Sequence, residues 1–210
     1  WFADAVKHGQ LVDSTIILRG NLRDFPFHKR SGVLLADITL RDALIEYKKN
    51  WPAFDDVQAN INLNKDHVIV VPTHGMMYDS QLKQARLEIP SFLRAVLEAE
   101  GELVGAGQNL IQFLADSGLV ARYNSVADQI SLQGDTNLRL SFTKSLSQKV
   151  ALPFRVSGML DFTGNTLNVH VANMSMQDLK GMISFNEDGA YGENLSASLY
   201  GAELALLSLI

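Results

Sequence analysis

Apolar and polar residues alternate with a period of two along most of the chain. Leu34, Ala36, Ile38 and Leu40 form one apolar row. Ala59, Ile61 and Leu63 form another, set against Gln58, Asn60, Asn62 and Asn64. Ala85, Leu87 and Ile89 oppose Gln84, Arg86 and Glu88, and Ala95, Leu97, Ala99, Gly101 and Leu103 oppose Arg94, Val96, Glu98, Glu100 and Glu102. Leu138, Leu140 and Phe142 alternate with Asn137, Arg139 and Ser141. Val156, Gly158, Leu160 and Phe162 alternate with Arg155, Ser157, Met159 and Asp161. Leu167, Val169 and Val171 follow, and Leu195, Ala197 and Leu199 close the series. Successive strand side chains point to opposite faces, so each row predicts a strand with one buried and one solvated face, as in antiparallel sheet.

Turn-forming residues separate the rows: Asn64-Lys65-Asp66, Gly134-Asp135, Thr163-Gly164-Asn165 and Asn186-Glu187-Asp188-Gly189. They predict hairpins, one over residues 57–71 and one from Leu160 to Val171 folded around Gly164-Asn165. The five prolines are expected at strand ends, where a missing N–H does least harm. Helix is scarce. The segment 107–118 predicts one, with Asn109 as cap, Leu110, Ile111, Phe113 and Leu114 as apolar face and Gly118 as stop. Trp1 to His8 reads as the tail of a second helix, and Ser175 to Lys180 as a single turn or a wide bulge. The sum is an all-β chain of about ten strands with two short helices.

Two short helices cover only a fraction of the apolar face that ten strands present. The sheet can fold on itself as a sandwich, close as a barrel, or curl and leave its apolar face to a ligand. Periodicity does not choose among these.

Composition narrows the chemistry more than the fold. The chain has 210 residues, is 47% hydrophobic and 20% charged, and so carries enough apolar material for a folded domain. Net charge is −5 and the 18 basic residues form no stripe for a phosphate backbone, which argues against nucleic acid as partner. Without cysteine there is no thiol nucleophile, disulfide or thiolate metal site. The five histidines show no metal-ligand spacing. Asp55-Asp56 reads as a strand start, and Glu98, Glu100 and Glu102 as the wet face of one strand, ahead of acid–base or calcium roles. Gly105-Ala-Gly107 lacks the rest of a phosphate loop, and no Gly-x-Ser-x-Gly elbow is present. No catalytic residue, metal or cofactor is expected.

No window approaches the ~18 continuous apolar residues of a membrane span. The chain opens at Trp1 without Met and stops within the apolar run Leu204–Ile210. It is read as one segment, 1–210, cut from a longer protein, with any membrane anchor or targeting sequence expected outside it.

The serial order of segments resembles a known family. The carriers are Gly9-Gln-Leu11, Arg19-Gly20-Asn-Leu22, Phe25-Pro-Phe27 and Gly32-Val-Leu34, then Glu46-Tyr47 before Trp51-Pro52 and the strand 57–63. Residues 112–119 (QFLADSGL), Gly134-Asp135, Leu152-Pro153, 156–162 (VSGMLDF) and 181–185 (GMISF) continue the match. The chain resembles the YhdP type of the AsmA-like proteins, in the central region called DUF3971. One departure is Gly118, where the family often has proline.

The resemblance implies a long periplasmic protein of Gram-negative bacteria, anchored in the inner membrane by an N-terminal helix outside this segment. It is similar to bridge-like lipid transfer proteins, in which an extended, curled antiparallel β-sheet forms a hydrophobic groove for phospholipid acyl chains. Further β-groove segments of the same chain are then expected at both ends, together with partner proteins at the inner and outer membranes. No catalytic residues are implied. The groove candidates are the large apolar members of the rows: Leu34, Ile38, Ile61, Leu63, Leu87, Ile89, Leu97, Leu103, Leu138, Leu140, Phe142, Leu160, Phe162 and Val169. A self-contained β-sandwich, packing the same rows into a dry core and binding carbohydrate or an adhesion partner through its loops, is the alternative from a different class.

Overall fold

The computed structural model describes residues 5–27, 32–47, 51–119, 127–147 and 152–206. Within them lies one 12-stranded antiparallel sheet. Its first strands are β1 (Val6–Arg19), β2 (Val33–Ile45), β3 (Phe54–Asn64), β4 (His67–Met77), β5 (Ser80–Ile89) and β6 (Val96–Ala106). Helix α1 (Gly107–Ser117) follows, then β7 (Ile130–Gln133), β8 (Asp135–Ser145), β9 (Arg155–Val169), β10 (Met174–Asn186), β11 (Ala190–Leu199) and β12 (Ala202–Leu206). Each strand pairs with the next along the path, except that β6 pairs with β8 and β7 lies beside the far half of β9.

β1 and β12 remain at opposite edges of this path, so the sheet is not closed into a barrel, and among the described residues no second sheet faces it. The sandwich alternative is therefore overturned. The fold is an open, curled, all-β sheet. Its curvature has a visible source in register slips along the ladders, five of which share one feature. Asp13, Asp42, Asp56, Asp178 and Asn194 sit at these slips, each with φ near +50°. A bulge bends its strand and raises the local twist, and Asp or Asn tolerates the left-handed backbone it needs better than bulkier residues do. The wide bulge expected between Ser175 and Lys180 is the Asp178 slip.

The hairpin over 57–71 forms as its alternation requires, with Ile61 opposite Val70 and Leu63 opposite Val68. The hairpin expected around Gly164-Asn165 does not. β9 runs straight through these residues, and its reversal comes later, at His170–Asn173. Asn165 is buried, and its Nδ2 donates to the carbonyls of Gln133 (3.2 Å) and Asp135 (2.9 Å) on the neighbouring chain segment. Its Oδ1 accepts from Thr163 N. Gly134, between those two carbonyls, holds φ +90°. The turn-like residues at 134 and 164 thus bend two paired strands together instead of reversing either one.

Three smaller expectations change. Pro72 lies inside β4, not at a strand end, and the β4–β5 ladder lapses between Val70–Leu87 and Met76–Gln81. Residues 6–8 belong to β1, so the helix expected over Trp1–His8 does not reach them, and residues 1–4 lie outside the described residues. α1 starts at Gly107, so the cap position falls to Ala106, whose methyl group cannot cap; Asn109 lies inside the first turn and bonds the Tyr78 carbonyl. Gly118 does end the helix, at φ +58°.

α1 lies on the apolar face over β6, β7 and β8. Leu110, Ile111 and Phe113 pack with Leu103, Leu132, Leu138, Leu160, Phe162 and Leu179 into the main core. Each fully buried side chain of this size stabilises by about 1.5–3 kcal/mol. The helix therefore covers only part of the apolar face; from β2 to β8 the curled sheet itself half-encloses the rest, burying Leu40, Ala59, Ile61 and Leu97.

Candidate functional site

The part that α1 leaves is a trough built from cross-strand rungs. One rung runs Ile38–Ile61–Val70–Leu87–Ala99–Phe142 across six strands. A second brings Leu40, Ala59 and Pro72 into line on one side, and Ala85, Gly101 and Leu140 on the other. Small residues at Ala59, Ala85, Ala99 and Gly101 leave the floor low, while Ile61, Leu87, Leu97 and Leu140 stand beside them as walls. The enclosed space is about 260 Å3 and its lining is almost wholly apolar. That exceeds the ~150 Å3 apolar cavity known to stay dry and take up a small hydrocarbon.

One long side of the trough is closed by aromatics. Tyr47 meets Trp51 edge-on with ring centroids 4.9 Å apart, Tyr47 lies 6.0 Å from Phe54, and Phe54 lies 6.5 Å from Phe113 of α1. Burial, reinforced by Tyr78, pushes the Tyr47 hydroxyl well above the ordinary phenol range, so it stays neutral. The helix is clamped over this side by polar contacts with the β4–β5 turn. Tyr78 Oη donates to Asp116 Oδ2 (2.9 Å) and Asn109 donates to the Tyr78 carbonyl, while within the helix Gln112 Nε2 donates to Asp116 Oδ1 (2.8 Å). Tyr78 and Asp79, both at positive φ, make the tight turn that presents these groups. Desolvation, with the bond to Asp116 next, raises the Tyr78 hydroxyl pKa.

The opposite face of the same strands is wet, as the alternation demands. It carries Arg86–Glu88 (2.7 Å), His67–Glu88 (2.6 Å) and Arg139–Asp161 (2.8 Å). Arg86 and then His67 hold the Glu88 carboxyl below its ordinary range.

The structure divides the fourteen candidates into groups. Ile61, Leu87, Ile89, Leu97, Leu103, Leu140 and Phe142 line the trough. Leu34, Ile38 and Leu63 stand on the same face in the flanking rows of β2 and β3. Leu138, Leu160 and Phe162 belong to that face too, but they are buried in the main core that α1 joins, with Leu138 fully buried. Val169 lies past the β9 bend, opposite Ile130 and Met174 in register. The sequence reading missed Val68, Val70 and the aromatic wall. Val68–Val71 is an unbroken apolar run whose facing only the β3 register decides. The wall residues come from separate connections that meet only in the fold.

Among the described residues no helix is long and apolar enough to cross a membrane, and no cluster of three or more His, Asp or Glu can hold a metal.

A one-layer antiparallel sheet, left open at its edges and hollowed into an apolar trough, defines a β-groove protein. The chain belongs to the YhdP family: the family described as YhdP protein matches residues 1–207. It is also similar to the intermembrane phospholipid transporter YhdP of Escherichia coli (strain K12), with 20% identity over 204 residues. That alignment covers 97% of this chain and 16% of the relative, so the chain spans about a sixth of the relative's length. No solved structure matches the chain.

Proposed function

We propose that this chain is one segment of a longer conduit that moves phospholipid between the inner and outer membranes, with acyl chains lying in the trough. The observation carrying this reading is the rung from Ile38 to Phe142: six strands of unbroken apolar surface, unroofed, in a chain of the YhdP family. A hydrocarbon chain gains about 0.8 kcal/mol for each CH2 taken out of water. Contacts that are greasy and non-directional allow it to slide without being trapped. An open trough leaves a polar headgroup in solvent, which a closed barrel does not.

The reading places the segment in the periplasm, with a membrane anchor elsewhere in the protein and no reaction of its own to catalyse. Further groove segments would add at the β1 and β12 edges, whose unpaired backbone groups are ready to accept another strand. Leu34, Ile38, Leu63 and the seven trough-lining candidates would touch lipid.

Native mass spectrometry of the intact protein, released from membranes into mild detergent, tests this. Bound phospholipid that is lost on Leu140→Asp with the fold preserved supports the conduit. Protein repeatedly free of lipid, or lipid binding indifferent to Leu140→Asp, overturns it.

A further inference from the structure

From β3 to β8 the two long sides of the trough differ in charge. On the α1 side the strand ends and the helix bring together Asp55, Asp56, Asp79, Asp116 and Asp135, while residues 51–57, 76–81 and 104–119 contain no Lys or Arg. On the other side the β3–β4 turn carries Lys65, the β5–β6 connection carries Arg94 and the end of β8 carries Lys144. The acid there, Asp66, accepts a hydrogen bond from Ser91 Oγ. None of the three cations has a carboxylate partner among the described residues.

Lys144 is distinctive in its row. It follows Leu138, Leu140 and Phe142 on the same face of β8 and stands directly opposite Leu97 of β6. It is the one charged residue in the apolar rows of β2 to β8, and it comes where the trough ends. A solvent-exposed ammonium at the end of a hydrocarbon-lined row matches a molecule that is apolar along its length and anionic at one end.

Resting on the conduit reading, we propose that lipids lie across the trough in one orientation, with the phosphate of the headgroup on the Lys65–Arg94–Lys144 rim and the acyl ends toward the aromatic wall. The aspartate rim repels the phosphate and the aromatic wall closes that side to it. The basic rim is open and of complementary sign.

The test uses the intact protein and two photoreactive phospholipid probes, one with a diazirine on the headgroup and one with it at the acyl terminus, followed by peptide mapping. The headgroup probe should label peptides holding residues 64–67, 91–95 and 144–147, and the tail probe the strand interiors and the aromatic wall. Lys144→Glu should lower headgroup labelling about two- to fivefold, the scale of one exposed charge contact, without lowering tail labelling. The milder Lys144→Gln should fall between. Headgroup label on residues 78–79 or 109–116, or spread equally over both rims, overturns the orientation while the conduit stands. Equal rim labelling by a chain-free glycerophosphate diazirine overturns the assignment to lipid. Absence of tail label from this segment sinks the conduit reading itself.

Discussion

Asn165 of β9 is hydrogen-bonded to both carbonyls that flank Gly134, so a single buried amide ties β7 and β8 to one strand. It adds to the backbone ladders that pair Ile130–Gln133 and Asp135–Ser145 each with β9. Asn165→Ala removes two donors and leaves buried carbonyls unsatisfied, each omission costing on the order of 1–3 kcal/mol. A loss of about 2 kcal/mol is expected in chemical denaturation, since partial rehydration offsets some of the cost. Asn165→Asp should not rescue it, because the carboxylate keeps the acceptor for Thr163 N but supplies neither donor.

Leu138 and Leu140 are neighbours in one row with different fates. Leu138 is buried in the main core that α1 joins, and Leu140 faces the trough. Leu138→Asp is expected to prevent folding, because an unpaired charge is placed in a dry core. Leu140→Asp should keep the β-sheet circular dichroism spectrum and a cooperative melt while abolishing lipid retention. Unfolding of both variants alike would mean that the trough is ordinary core.

The Tyr78–Asp116 contact holds α1 over the aromatic side. Tyr78→Phe removes one exposed hydrogen bond, worth about 1 kcal/mol, and should speed amide exchange in 107–117 more than in the central strands. Phe113→Ala takes a buried ring from between Phe54 and the core and should cost about 3–5 kcal/mol. Thermal melts of the two variants should therefore separate clearly. Equal shifts would mean that the polar clamp and the ring contribute alike.

Glu88 gives the wet face a pH signature. Its carboxyl is held below the ordinary value of 4.5 by Arg86 and then His67, so the folded state favours the ionised form. The associated stability is present above that ordinary value and fades as pH falls through the lowered one. Comparing melts of the parent chain and Glu88→Gln between pH 6 and pH 3, roughly spanning this carboxylate's titration, should show the gap narrowing toward acid. A gap that widens toward acid would contradict the assignment.

Local pattern made the strands legible because a strand's two faces are written directly in a period of two. Ile61 and Leu63 had to share a face, and so did Leu97 and Leu103. The helix at Leu110–Phe113 and its stop at Gly118 were equally readable, since both depend on residues within one or two turns. Turn chemistry was less secure. Gly164-Asn165 has the composition of a reversal, but in the fold the Asn165 amide is taken by Gln133 and Asp135, thirty or more residues earlier. Asn109 likewise falls inside the first turn of α1 and bonds the Tyr78 carbonyl. The aspartates at the bulges were visible as residues but not as bends, because register is a property of two strands.

The sequence by itself determined an antiparallel all-β chain with one apolar face too large for its helices to cover, and the order of its segments already resembled the YhdP type. Tertiary structure alone decided how that face was divided. Leu138, Leu160 and Phe162 enter the dry core that α1 joins, while the Ile38–Phe142 rung stays open. The reason is physical: alternation fixes which face a side chain takes, but what covers the face depends on contacts between elements far apart in the chain.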